Sequence, residues 1–151
     1  MRPMQKSIQI KQNQGFSLIE IMVVVVIIGI LAALVVPKIM SRPEQARIVK
    51  AKSDVSAIQS ALDLYKLDNG FYPSTNQGLQ ALVTAPTTAP TPSSWKSGGY
   101  LQHLPEDPWG RAYHYLNPGV HNPAGVDIFS YGSTGQPGGT PENATIGNWQ
   151  K

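Results

Sequence analysis

Apolar and polar positions divide the chain into three stretches. From Phe16 to Val36 the sequence FSLIEIMVVVVIIGILAALVV carries one charge, Glu20, and is uncharged throughout from Ile21 onward. A helix of that length spans roughly 30 Å, the thickness of a bilayer core, so a transmembrane helix is predicted over 16–36. A cleaved secretory signal fits less well. Its apolar region runs about 7–15 residues and ends at a small-x-small site, whereas this run ends in Val35-Val36-Pro37-Lys38.

Beyond the span the pattern changes to helical alternation. Pro37 lacks an amide donor, so a kink or local melting of the helix is expected there. Ser41-Arg42-Pro43-Glu44 then reads as a capping box with a proline tolerated in the first turn. Val55, Ile58, Leu62 and Tyr65 recur at spacings of three and four, with Lys50, Lys52, Asp54, Asp63 and Lys66 mostly elsewhere. That is one apolar stripe, predicting an amphipathic stem helix within 37–69 whose stripe packs against the following domain. Asp68-Asn69-Gly70 supplies the stop.

Residues 70–151 are punctuated by turns and predict a small globular domain. Leu79, Leu82 and Val83 suggest a short helix around 77–84, and the Thr/Pro-rich stretch 84–94 reads as a loop. Strand-like segments at 111–116 and 126–131 are bounded by Asp107-Pro108-Trp109-Gly110 and Asn117-Pro118-Gly119. The expected fold class is α+β: a long N-terminal transmembrane and stem helix, then a loop-rich domain with an antiparallel sheet of two or three strands.

Charge placement narrows the function. The 151 residues carry a net charge of +3 and no cysteine. The absence of cysteine excludes disulfides, thiolate zinc sites and cysteine nucleophiles. Arg2, Lys6 and Lys11 precede residue 16 without an acid, and the other nine basic residues equal the nine acids. An excess confined to a terminal arm is a membrane-topology signal placing 1–15 in the cytoplasm, and it argues against a nucleic-acid-binding face.

Glu20 is the anomaly of the span. A carboxylate costs about 2.5–3.5 kcal/mol at mid-bilayer and less near the interface, so it carries a functional hypothesis, with snorkelling to the headgroups as the alternative. Its setting, Gly15-Phe16-Ser17-Leu18-Ile19-Glu20 after a short basic leader, resembles the type IV pilin-like signal. The resemblance implies a prepilin peptidase that removes the leader 1–15 by cutting between Gly15 and Phe16 and methylates the Phe16 amine. A free amine at Phe16 and the acid of Glu20 are complementary, within one chain or between staggered subunits.

Farther along, Tyr65-Lys66-Leu67-Asp68-Asn69, Phe71-Tyr72-Pro73-Ser74, Gln77-Gly78-Leu79, Asp107-Pro108-Trp109-Gly110, Asp127-Ile128-Phe129-Ser130 and Ile146-Gly147-Asn148-Trp149 resemble the major pseudopilins of type II secretion systems. The resemblance implies a pilin-like inner-membrane protein with one pass and a periplasmic domain. It implies a helical homopolymer in the periplasm that moves folded proteins toward an outer-membrane secretin. The implied partners are minor pseudopilins, the peptidase, and an inner-membrane platform with its ATPase. Two other readings compete: an adhesive or motility type IV pilus subunit, and a bitopic protein with a periplasmic binding domain. Type IVa pilins usually close their C-terminal region with a disulfide, which this chain cannot form.

Enzymatic chemistry is not expected. No phosphate-binding glycine loop, nucleophile elbow or HExxH motif is present, and His103, His114 and His121 lie without an acidic cluster. Glu106 and Asp107 read as a solvated turn with Asp107 bonding the backbone, rather than an acid/base pair, and Asn143-Ala144-Thr145 as a chance match to a glycosylation acceptor. The resemblance also implies a structural calcium in the C-terminal loop, held by several aspartates. Here those positions are Thr134, Asn143 and Thr145, with Glu142 the sole acid. Calcium takes about six to eight oxygens and its affinity follows their charge, so Thr134, Glu142, Asn143 and carbonyls would make a weak site.

Overall fold

The computed structural model describes residues 15–40, 42–139 and 144–150. The chain divides into two units, Met1–Ser41 and Arg42–Lys151.

In the first unit, α1 runs Leu18–Met40 and is 23 residues long. Its first turn is tied to Ser17, whose carbonyl accepts the amides of Glu20 and Ile21 at 3.0 and 3.2 Å. The helix remains helical through Pro37, so local melting is not a feature of this backbone. The expected N-cap Ser41 lies outside the described residues.

The second unit is built on α2, Arg42–Asn69. Val55, Ile58, Leu62 and Tyr65 are buried together, joined on the same face by Ala51 and Ala61. Each large member contributes about 1.5–3 kcal/mol by leaving water. The exposed side mixes apolar Val49, Leu64 and Leu67 with charged pairs such as Lys50 with Asp54 and Arg47 with Glu44, each pair worth about a few tenths of a kcal/mol. The helix stops as Asp68-Asn69-Gly70 implies. Gly70 takes φ +83° and its amide returns to the Lys66 carbonyl at 2.7 Å, the left-handed termination that only a residue without Cβ adopts cheaply. Asn69 then binds the next layer: its amide group donates to the Tyr65 carbonyl and the Tyr100 hydroxyl, and its oxygen accepts the Ser94 amide.

The short helix expected around 77–84 is a single 3-10 turn, Leu79–Leu82. Ser74 and Gln77 bond each other reciprocally, amide to side chain, at 3.0 and 3.2 Å, as in a capping box. The Gln77 amide nitrogen, however, is drawn away to the carbonyls of Thr88 and Pro90. That pins the Thr/Pro-rich loop instead of extending a helix.

Three antiparallel strands complete the domain in the order β1, His114–Leu116; β2, Asp127–Ser130; β3, Ile146–Gly147. Tyr115 faces Ile128 across one pair and Phe129 faces Gly147 across the other. The first two strands fall within the expected segments, and the third is the two-residue piece at the C-terminal end. Val126 and Ile128 from the β2 region, with Tyr113 and Tyr115, close over the α2 stripe. Tyr115 donates to the Pro73 carbonyl and Tyr113 to Asp54 on α2, both at 2.8 Å. The Trp109 indole likewise donates to Glu44 at 3.2 Å. The architecture is α+β.

Candidate functional site

The processing segment sits at the start of α1. Phe16, Leu18 and Ile19 are exposed apolar side chains. Among the described residues, which begin at Gly15 itself, no atom lies within 4 Å of where a Cβ at this position would stand. Glu20 lies in the first turn of α1, where a negative charge suits the amide end of the helix dipole.

The candidate calcium loop is described only in part. Thr134 is the described member of the three candidate donors; Glu142 and Asn143 lie outside the described residues. The Thr134 hydroxyl is spent on its own turn, lying 3.2 and 3.3 Å from the carbonyls of Tyr131 and Gln136 and accepting the Gln136 amide. Among the described residues no three acidic or histidine side chains converge to hold a metal. A cation already occupies the base of the loop, since the Arg111 guanidinium donates to the Gly132 carbonyl. The described donors do not fit calcium.

Two buried carboxylates organise the loops around the sheet. Asp107 is 4% exposed, so the Glu106-Asp107 turn is not the solvated one the sequence suggests. One Asp107 oxygen accepts the amides of Trp109 and Arg111, and the other accepts the Ser130 hydroxyl at 2.6 Å. Asp127, fully buried, takes the amides of Val120 and His121 on one oxygen and that of Asn122 on the other, at 2.8 to 3.0 Å. Burial opposes its charge, but the bonds from His121, Asn122 and Val120 outweigh that and hold the carboxyl below the ordinary aspartate value. Gly119 makes the arrangement possible, because a Cβ there would stand 2.4 Å from an Asp127 oxygen. His121 places its Nδ1 3.1 Å from Asp127 and stacks on Trp149, tying the chain end to the loop.

The backbone bonds of Asp107 are as the sequence suggests, whereas its burial and the Asp127 anchor escaped the sequence reading. An acid at the start of a strand otherwise apolar and aromatic was the available signal for Asp127. Nothing local marked Arg111. Asp107 and Asp127 both hold backbone amides of neighbouring loops, and Asp107 also holds the Ser130 hydroxyl.

Among the described residues no helix is long and apolar enough to cross a membrane; the described side chains of α1 end at Leu34. Residues 10–36 match the prokaryotic N-terminal methylation motif, and residues 38–149 match the family of type II secretion system protein G. Over 141 residues the chain is 59% identical to the type II secretion system core protein G of Pseudomonas aeruginosa, covering 93% of this chain and 98% of that one. It is 50% identical to the protein of the same name from Vibrio cholerae, covering 93% and 94%. The fold is similar to the crystal structure of the major pseudopilin from the type 2 secretion system of enterohaemorrhagic Escherichia coli, with a TM-score of 0.64 and 46% identity over 73% of this chain and 88% of that one. Motif and family together point to an inner-membrane-anchored periplasmic protein, and they favour the pseudopilin reading over a surface pilus or a binding module. The chain therefore belongs to the type II secretion system protein G family, the major pseudopilins, structural subunits rather than enzymes.

Proposed function

We propose that this chain is made as a precursor with a cytoplasmic leader 1–15, is cut between Gly15 and Phe16, and is methylated at the new amine. Residues 16–36 then form a single membrane pass, with 37–69 as the stem and 70–151 as the periplasmic domain. The mature subunits polymerise into a periplasmic helical filament that helps export folded proteins through an outer-membrane secretin.

The observation that carries the processing step is Gly15. Among the described residues nothing crowds its Cβ direction, and glycine sits between a basic leader and the apolar run, as a reader with a small pocket would require. The methylation motif over 10–36 supports the same reading. Glu20 is four residues beyond Phe16, so subunit insertion from the membrane brings the acid of one chain to the free amine of its neighbour and sets the register. Pro37 serves as a kink point near the end of the apolar span, because its ring removes a helical hydrogen bond there. Assembly would take minor pseudopilins at the tip and an inner-membrane platform with its ATPase.

Mass spectrometry of membrane-extracted protein tests the processing step. Mature chains should begin at methylated Phe16, and an intact Met1 in functional filaments overturns the proposal. Electron microscopy after overproduction of the processed protein tests polymerisation.

A further inference from the structure

We propose that the Arg111 guanidinium is the resident cation of the C-terminal loop, doing there what a bound divalent ion would otherwise do, so that this subunit folds and works without calcium. A divalent ion in an oxygen-rich loop draws carbonyl and carboxylate groups onto one positive centre. In this chain those groups converge on a side chain. Arg111 donates through Nη2 to the Gly132 carbonyl and places Nε 4.0 Å from Asp107. The other side of residue 132 is held by the same circuit: its amide donates to Ser130 Oγ at 3.1 Å, and that hydroxyl donates to Asp107 at 2.6 Å. Asp107 also accepts the Arg111 amide at 2.8 Å, which closes the ring.

The loop is shaped around the guanidinium. Gly135, at φ +67°, ends the 3-10 turn Gly132–Thr134 with its open side against Arg111. A Cβ at 135 would lie 2.8 Å from Arg111 Cζ and 2.9 Å from Nη1. A planar, permanently charged fork suits this flat contact and carbonyl geometry, and a lysine ammonium does not. Asp107 is nearly inaccessible, so its charge needs a fixed positive neighbour, and Arg111 is the one supplied. Among the described residues no three acidic or histidine side chains gather at this loop to replace it with a metal.

The test uses full-length protein in detergent, melted in excess calcium chloride or excess EGTA, with hydrogen exchange read along the chain. The wild-type midpoint should move by less than about 2 °C between the two conditions, since an unbound ion contributes no linkage. Arg111→Met should lower the midpoint by about 5 °C or more and speed exchange at residues 132–138 at least about tenfold, leaving the α2 core protected. Arg111→Lys should fall between the two, because it keeps charge but loses the fork. A large drop of the wild-type midpoint in EGTA overturns the proposal, as does unchanged loop exchange in Arg111→Met. If Arg111→Met does not accumulate, Arg111→Lys decides: loop exchange equal to wild type refutes the role, and selective acceleration supports it. None of these outcomes depends on filament formation, so the assembly proposal stands or falls separately.

Discussion

The imidazole of His121 lies parallel to the indole of Trp149, with ring centroids 3.8 Å apart and planes 7° apart. The same imidazole touches the buried carboxylate of Asp127, so one exposed loop residue joins the C-terminal end to the centre of the sheet. Replacing His121 with alanine should release Trp149 into water. The expected result is a red-shifted tryptophan emission and a loss of about 1 kcal/mol in denaturant unfolding, the scale of one aromatic pair. An unchanged spectrum would show that the stack does not hold Trp149.

Asp127 should make the domain acid-sensitive in a defined direction. Its carboxyl is held below the ordinary value in the folded state, so its stabilisation is complete above about pH 4, the unfolded range, and is lost as pH falls through the lower folded value. Asp127→Asn presents an amide group to backbone donors and should cost about 2–4 kcal/mol at neutral pH. Melting curves of the two proteins should converge as pH drops below the ordinary aspartate value, about 4. A constant gap would mean that charge is not what Asp127 contributes.

Gly15 should matter to the processing enzyme and not to the fold. A phenylalanine or lysine at position 15 is expected to leave the far-ultraviolet dichroism and melting of the protein unchanged while precursor accumulates, read as an uncut band of higher mass. Normal cleavage of both variants would remove the argument from pocket size.

Glu20→Ala removes a charge from the proposed membrane segment and leaves the neighbouring Phe16 amine without a partner. Membrane levels should equal those of wild type, with filaments reduced at least about tenfold on electron micrographs. Normal filaments at equal expression would favour snorkelling of Glu20 to the headgroups.

Tyr65 is wholly buried between Phe71 and Tyr100, and its hydroxyl has no hydrogen-bond partner among the described residues. Burial, chiefly, raises its phenol above the usual value. Because an unmade buried bond is unfavourable by about 1–3 kcal/mol, Tyr65→Phe should be neutral or stabilising, whereas Tyr65→Ala should lose about 3–5 kcal/mol by leaving a cavity. Chemical denaturation of both variants distinguishes ring packing from the hydroxyl.

Periodicity and turn chemistry were enough for what depends on neighbours in sequence. The stripe Val55, Ile58, Leu62 and Tyr65 faces the core because helical geometry puts those positions on one side, and Asn69-Gly70 ends α2 because a left-handed residue can close the helix there. Tertiary structure decided the rest. Asp107 was read as a solvated turn, yet the strand residue Ser130 and the arginine four positions on enclose it. His121 reads as an ordinary loop histidine until Asp127 and Trp149 arrive from six and twenty-eight residues away. The short helix near Gln77 is one 3-10 turn, and the Gln77 side chain bonds a loop eleven and thirteen residues downstream that no local pattern announces. Arg111 shows the limit most plainly. Its meaning depends on a carbonyl twenty-one residues distant, and long-range hydrogen bonds leave no period in a sequence, because any residue type that can donate would look the same until the chain folds back on itself.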